Sequence, residues 1–175
     1  MHINFEFKAR HNDIIAAEKI LSEKQPLFIG EDHQVDTYFT VPKGRLKLRE
    51  GTIEQSLIFY ERTNTATAKQ SNVILYKHSA DAALKQILTQ SLGIKTVVDK
   101  KRRIYFIENV KFHFDTVDSL GHFIEVEAID MDGSIGVEKL KQQCAFYQSL
   151  FSIEPKDFIA ESYSDLLMAK TPHSL

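Results

Sequence analysis

Across 175 residues the chain sets 22 Lys and Arg against 24 Asp and Glu, a formal charge of −2, with 43% hydrophobic residues. That is enough apolar content for a sizeable core, and it leaves no global charge to draw nucleic acid or an anionic membrane, so any anion site has to be local. The single cysteine, Cys144, excludes an intramolecular disulfide and a multi-cysteine zinc centre.

The opening "MHINFEFKAR" lacks the basic start and apolar run of a secretory signal, and no stretch approaches a membrane span. A soluble cytoplasmic protein of one domain, residues 1–175, is therefore expected. "HINFEFKA" alternates Asn4, Glu6 and Lys8 with Ile3, Phe5 and Phe7, the period of a half-buried strand. "NDIIAAEKILSEKQP" follows as a helix, with Ile14, Ala17 and Leu21 on one stripe and Pro26 beyond its end. "HQVDTYFTV" is a second strand, and Pro42-Lys43-Gly44 turns it into "GRLKLRE". There Arg45, Lys47 and Arg49 share one face, and Leu46 and Leu48 the other. "SLIFYERT" puts Tyr60 and Arg62 together; Asn64–Asn72 is polar and aperiodic, a mobile loop by composition; "SNVILYKH" is the fifth strand.

A helix then runs from a Ser79 cap to Gly93, with Leu84, Ile87, Leu88 and Leu92 as its apolar face. The sixth strand, "KTVVDKKRRIYF", offers either Lys100 with Arg102 or Lys101 with Arg103 on the polar face; a one-residue slip exchanges them. "NVKFHFDTV" sets Lys111, His113 and Asp115 against Phe112 and Phe114. After a turn at Gly121, "HFIEVEAID" sets Glu125 and Glu127 against Ile124 and Val126. A third helix spans Gly136 to Phe151 and places Cys144 in the core at helical spacing from Val137 and Leu140; a short fourth lies within "DFIAESYSDLLMAK". Eight strands joined largely by hairpin-length loops predict an α+β fold: an antiparallel meander closing into an eight-stranded β-barrel with helices packed outside.

For any one strand, a solvated face explains the polar side. Together the faces are sorted by sign: "RLKLR" is all cationic, "FIEVE" all anionic, whereas surfaces made only for solubility intersperse charges. Helices with apolar stripes need the apolar strand faces, so in a closed sheet the charged faces line the interior. That interior holds Lys8, Arg45, Lys47, Arg49, Arg62 and one of the two sixth-strand pairs, facing Glu6, Asp115, Glu125 and Glu127. Burying these charges without a ligand is costly. Arginine forks and lysines suit phosphate oxygens, and clustered carboxylates without cysteine suit Mg²⁺ or Mn²⁺. The pattern points to a chain of phosphates as ligand.

At these residues the sequence resembles the CYTH superfamily, the triphosphate tunnel metalloenzymes, over about residues 2–168. "NFEFK" matches the opening E-x-E-x-K signature, followed in order by the basic strand "RLKLRE", a K-x-R pair at Lys100 and Arg102, and the E-x-E ending "EVE". "HQVDTYFTVPKGRLKLREG", "LIFYER", "SLGHFIEVE" and "ESYSDLL" are most similar to the class IV adenylate cyclase-like branch. The resemblance implies Mg²⁺ or Mn²⁺ held by Glu6, Asp115, Glu125 and Glu127, of which Glu6, Asp115 and Glu127 are the catalytic set. It also implies a triphosphate gripped by Lys8, Arg45, Lys47, Arg49, Arg62, Lys100 and Arg102. The reaction it implies is ATP to cyclic AMP and pyrophosphate; hydrolysis of tripolyphosphate, thiamine triphosphate or a nucleotide, or binding without turnover, are the alternatives. A homodimer is left open. The departure is Asn4, which stands where the signature has its first glutamate and offers an oxygen without a charge. No H-E-x-x-H occurs, and a structural or solvated role is the commoner one for His113, although it could touch a phosphate.

Overall fold

Period-two alternation becomes a strand at every predicted position. The computed structural model describes residues 2–62, 69–79 and 81–170, without the side chains of His2, Arg62 and Lys69. The strands are β1 (His2–Arg10), β2 (Leu27–Phe39), β3 (Arg45–Gly51), β4 (Gln55–Arg62), β5 (Lys69–Lys77), β6 (Ile94–Ile107), β7 (Val110–Val117) and β8 (Gly121–Asp130). The helices are α1 (Ile14–Ser22), α2 (Ala82–Leu92), α3 (Val137–Leu150) and α4 (Tyr163–Lys170), with one 3₁₀ turn at Pro155–Asp157.

The sheet closes as an antiparallel barrel in the order β1-β5-β4-β3-β2-β6-β7-β8. It is not one unbroken meander. β2 to β5 run up and down, as do β6 to β8, while β1 lies between β5 and β8, and β2 pairs with β6. The α1 and α2 connections make the two crossings, which hairpin-length loops could not span. Closure gives every strand a partner on both sides over part of its length and fixes which face of every strand looks inward.

The outward faces carry the main core. Phe7 and Ala9 of β1, Phe112 and Phe114 of β7, and Ile124, Val126 and Ala128 of β8 pack with Ala17 and Leu21 of α1 and Leu140, Cys144 and Tyr147 of α3. Each fully buried Phe, Ile, Leu or Val among them stabilises the fold by about 1.5–3 kcal/mol. α4 instead caps one end of the barrel, where Tyr163, Leu166 and Leu167 meet inward-facing Tyr38, Val98, Val117 and Phe123. Near that end β1 loses β5 as a partner after Glu6, and Phe158 bridges to Ala9 while the Ile159 amide donates to the Lys8 carbonyl at 2.9 Å.

Several boundaries differ from the sequence expectation. β2 begins at Leu27 rather than His33; Leu27, Phe28 and Ile29 are exposed in succession, so pairing to the long β6, across a bulge between Phe28 and Gly30, holds a segment with no burial period. The cap of α2 is Asp81, not Ser79, because its carboxylate accepts the Ala83 amide at 2.8 Å. The apolar face expected on α2 is not buried: Ile87 is 61% exposed, and the helix is tied to β3 by Lys85 and Glu50 at 2.6 Å. The expected mobile loop, Asn64–Asn72, falls partly in β5, and its residues 64–68 lie outside the described residues. Gly44 closes the β2–β3 turn at φ +69°, a left-handed conformation, with the Phe59 ring 2.7 Å from where a Cβ would sit. Among the described residues no helix is long and apolar enough to cross a membrane.

Candidate functional site

Inside the barrel the strands enclose a cavity of about 760 Å³. β1 supplies Asn4, Glu6 and Lys8; β2, Asp36; β3, Lys47 and Arg49; β6, Lys100 and Arg102; β7, Lys111 and His113; β8, Glu125 and Glu127. The register sets these side by side, Glu6 opposite Glu127, Lys8 opposite Glu125, and Asp36 opposite Arg49. The sixth strand turns Lys100 and Arg102 inward, each 2% exposed, while Arg103 lies outside against Glu18 at 2.8 Å. Tyr163 and Ser162 line the capped end. At the other end Ile53 and Leu75 are each 42% exposed, so the cavity opens there past Phe106 and Ile129.

Two ion clusters order the cations. The Asp36 carboxylate accepts from Lys47 at 2.9 Å, Lys100 at 2.7 Å, and Arg49 through Nε at 2.9 Å and Nη2 at 3.0 Å. Burial opposes its ionisation, but Arg49, Lys100 and Lys47 hold it well below the usual carboxylate range. Burial, with Arg49, Arg102 and Lys47 nearby, pushes Lys100 down to about 7 despite Asp36. In the second cluster Arg102 grips Asp115 with Nε at 2.7 Å and Nη2 at 2.5 Å, and reaches Glu125 at 2.8 Å. The Tyr163 hydroxyl donates to Asp115 at 2.8 Å, and its ring lies 4.1 Å from the Lys8 ammonium.

Toward the opening, Glu54 accepts from Arg49 at 2.9 Å and pairs with Lys111. Its position is fixed from behind by Asp32, which accepts the Ile53 and Glu54 amides at 2.8 and 2.9 Å and the Thr52 hydroxyl at 2.9 Å. Gly51 permits that loop, since a Cβ there would meet the Asp32 carboxylate at 2.8 Å and the Glu54 carbonyl at 2.5 Å.

The third group sets Glu127 beside Glu125 and opposite Glu6. Burial first, then the charges of Glu125 and Glu6, push Glu127 up to about 7. His113 beside them is 1% exposed, and burial, with Arg102 and Lys111, pushes it down to about 3. Asn4 keeps a buried side-chain oxygen without a hydrogen-bond partner among the described residues. Converging carboxylates, one resisting ionisation because of burial and its neighbours, fit a hard divalent cation.

The residues expected from sequence therefore divide. Glu6, Lys8, Lys47, Arg49, Lys100, Arg102, Glu125 and Glu127 line one cavity. Asp115 faces inward but is fully buried between Arg102 and Tyr163, and Arg45 is paired at 2.8 Å with Asp165 of α4; neither lines the cavity. The Arg62 side chain lies outside the described residues. Asp36, Glu54 and Lys111 are additions. Period two in "DHQVDTY" would have placed Asp32, Gln34, Asp36 and Tyr38 on one face; Glu54, in a turn, carries no periodic signal.

Comparison with solved structures gives full-length likenesses. The PH1012 protein of Pyrococcus horikoshii superposes with a TM-score of 0.79 at 21% identity, covering 95% of this chain and 99% of that one. A candidate adenylate cyclase from Vibrio parahaemolyticus gives 0.74 at 18% identity, covering 95% and 98%. A candidate adenylyl cyclase from Hippeastrum, with a dominant triphosphatase activity, gives 0.61 at 13% identity, covering 97% and 96%. At these identities the likeness is one of fold. Comparison with curated protein sequences gives no match. The CYTH domain model matches residues 2–163, nearly the whole chain, and the chain belongs to the CYTH domain family.

Proposed function

We propose that this protein is a divalent-metal-dependent enzyme acting on a nucleoside triphosphate, cyclising ATP to cyclic AMP and pyrophosphate. The observation that carries the reading is one cavity in which a ladder of cations faces converging carboxylates below an apolar opening. Lys8, Lys47, Arg49, Lys100, Arg102 and Lys111 would take the phosphate oxygens, with Asp36 and Glu54 holding four of them aligned beforehand. Prealigned charge of this kind stabilises developing phosphate charge without reorganisation. Ile53, Leu75, Phe106 and Ile129 at the open end offer apolar surface for a base and sugar, which an inorganic polyphosphate would not need.

Glu6, Glu125 and Glu127 would hold Mg²⁺ or Mn²⁺, with Asp115 acting through Arg102 rather than as a ligand. When bound, the ion neutralises phosphate charge and lowers the pKa of an attacking hydroxyl or water. Cyclisation forms the bond from the ribose 3′-oxygen to the α-phosphorus, breaks the bond to the β-bridging oxygen, and releases pyrophosphate and a proton. The second reading is hydrolysis of a triphosphate by water at the γ-phosphorus. It is favoured by the concentration of charged groups on the phosphates, which would grip tripolyphosphate or thiamine triphosphate as well as ATP.

³¹P NMR of the protein with Mg²⁺ or Mn²⁺ and either ATP or tripolyphosphate tests both. Pyrophosphate with a cyclic-nucleotide resonance is the expected result. Orthophosphate would replace cyclisation by hydrolysis, and unchanged spectra with both substrates would leave a module that binds triphosphates without turning them over.

A further inference from the structure

The carboxylate group at the middle of the cavity contains a nitrogen. His113 Nδ1 stands 3.4 Å from Glu125 Oε2 and 3.6 Å from Glu127 Oε1, and one donor atom from each of the three residues lies within 4.8 Å of the others. Nε2 has no hydrogen-bond partner among the described residues, and Nδ1 has only its long approach to the two carboxylates, although the side chain is 1% exposed. A buried imidazole so poorly satisfied is costly, and structural histidines normally donate or accept at both nitrogens.

We infer that His113 is a nitrogen ligand of the divalent ion, completing with Glu125 and Glu127 a mixed nitrogen–oxygen site that selects Mn²⁺ over Mg²⁺. The spacing suits one ion: with bonds of about 2.1 Å, donors at right angles lie about 3.0 Å apart and opposite donors about 4.2 Å. The two measured separations fall between these limits. β7 positions the ring by alternation, since Phe112 and Phe114 on either side are locked into the outer core. The ligand also has a chemical role in this chain. Asn4 brings an oxygen without charge to the site, so the carboxylates alone supply less of the anionic field that holds a hard ion. Imidazole nitrogen adds affinity for Mn²⁺ far more than for Mg²⁺, which prefers oxygen and keeps its waters.

This inference rests on the proposed triphosphate reading, and the two are separable in one measurement. Pulsed electron paramagnetic resonance is run on the full chain with substoichiometric Mn²⁺ and methylene-bridged tripolyphosphate, which resists hydrolysis. Coupling to ¹⁴N reports a histidine ligand, and coupling to ³¹P reports phosphate on the ion. Both couplings are expected, with the nitrogen signal converted to a ¹⁵N pattern by labelling histidine. Phosphorus coupling without nitrogen would overturn the His113 ligand and leave the triphosphate reading intact. Nitrogen without phosphorus would support the ligand and count against the triphosphate reading, and failure to bind Mn²⁺ would overturn both. His113→Gln should abolish the nitrogen coupling and weaken Mn²⁺ binding about tenfold or more, with Mg²⁺ binding changed by less than about threefold. His78 is the other histidine lining the cavity among the described residues. Should His113→Gln fail to fold, His78→Gln decides: nitrogen coupling retained supports His113, and coupling lost overturns it.

Discussion

Replacing Asp36 by Asn tests whether the cation ladder is held in place by an internal counter-anion. Asp36 is 1% exposed and is the shared acceptor of Lys47, Arg49 and Lys100, while Arg49 keeps a second partner in Glu54. The amide has nearly the same shape but no charge, and its NH₂ presents a donor to donors. Removing one side of a buried ion pair costs about 3–5 kcal/mol, because the remaining charge stays desolvated. At pH 8 Lys100, pushed down to about 7, is already largely neutral, so it adds little to the charge left unpaired. The loss at pH 8 should therefore lie near the lower end, about 3 kcal/mol, or about 6–12 °C in Tm for a domain of this size. The assay is thermal unfolding by circular dichroism in EDTA, with and without tripolyphosphate. The anion should raise the Tm of the variant more than that of the wild type, since it restores the charge that was removed. A fall of less than about 2 °C, or a smaller ligand shift in the variant, would refute the reasoning.

Glu127→Gln should abolish metal-dependent turnover, and near-normal activity would remove Glu127 from the proposed catalytic set. The same variant has a pH signature in EDTA. Between about 4.5 and about 7 native Glu127 binds more proton than the unfolded chain, so its contribution is present at the acid end and lost as pH rises. The Tm of the variant minus that of the wild type should therefore increase across that window and level off above it; a flat difference would contradict the raised carboxyl. Cys144 is 1% exposed, and burial pushes its thiol up to about 12, so it should resist alkylation at pH 8 until the protein is unfolded. Modification at the rate of a free thiol would show that the α3 interface with β1 and β8 opens readily.

Most of the barrel was legible because alternation is a local property. β1, β3, β7 and β8 each carry polar and apolar residues at period two, and the structure puts the apolar sets of β1, β7 and β8 under α1 and α3, while Leu48 of β3 is buried apart from that cluster. The start of β2 was not legible, because its first residues are held by hydrogen bonds to β6 rather than by burial. The cap of α2 shifted for a similar reason: which of Ser79 and Asp81 reaches an amide depends on where the chain turns after β5.

The cavity followed the same division. The sequence by itself determined the inventory, with Glu6, Lys8, Lys47, Arg49, Glu125 and Glu127 on sorted faces, because a side chain's face on a strand depends only on its own position. Only the tertiary structure decided which of these charges meet. The β2–β3 and β2–β6 registers bring Arg49 and Lys100 onto Asp36, the Arg102 fork and Tyr163 of α4 close over Asp115, and Asp165 draws Arg45 away. The pairing of ions depends on distances across strands far apart in sequence, and those are set by barrel closure and helix docking rather than by any local pattern.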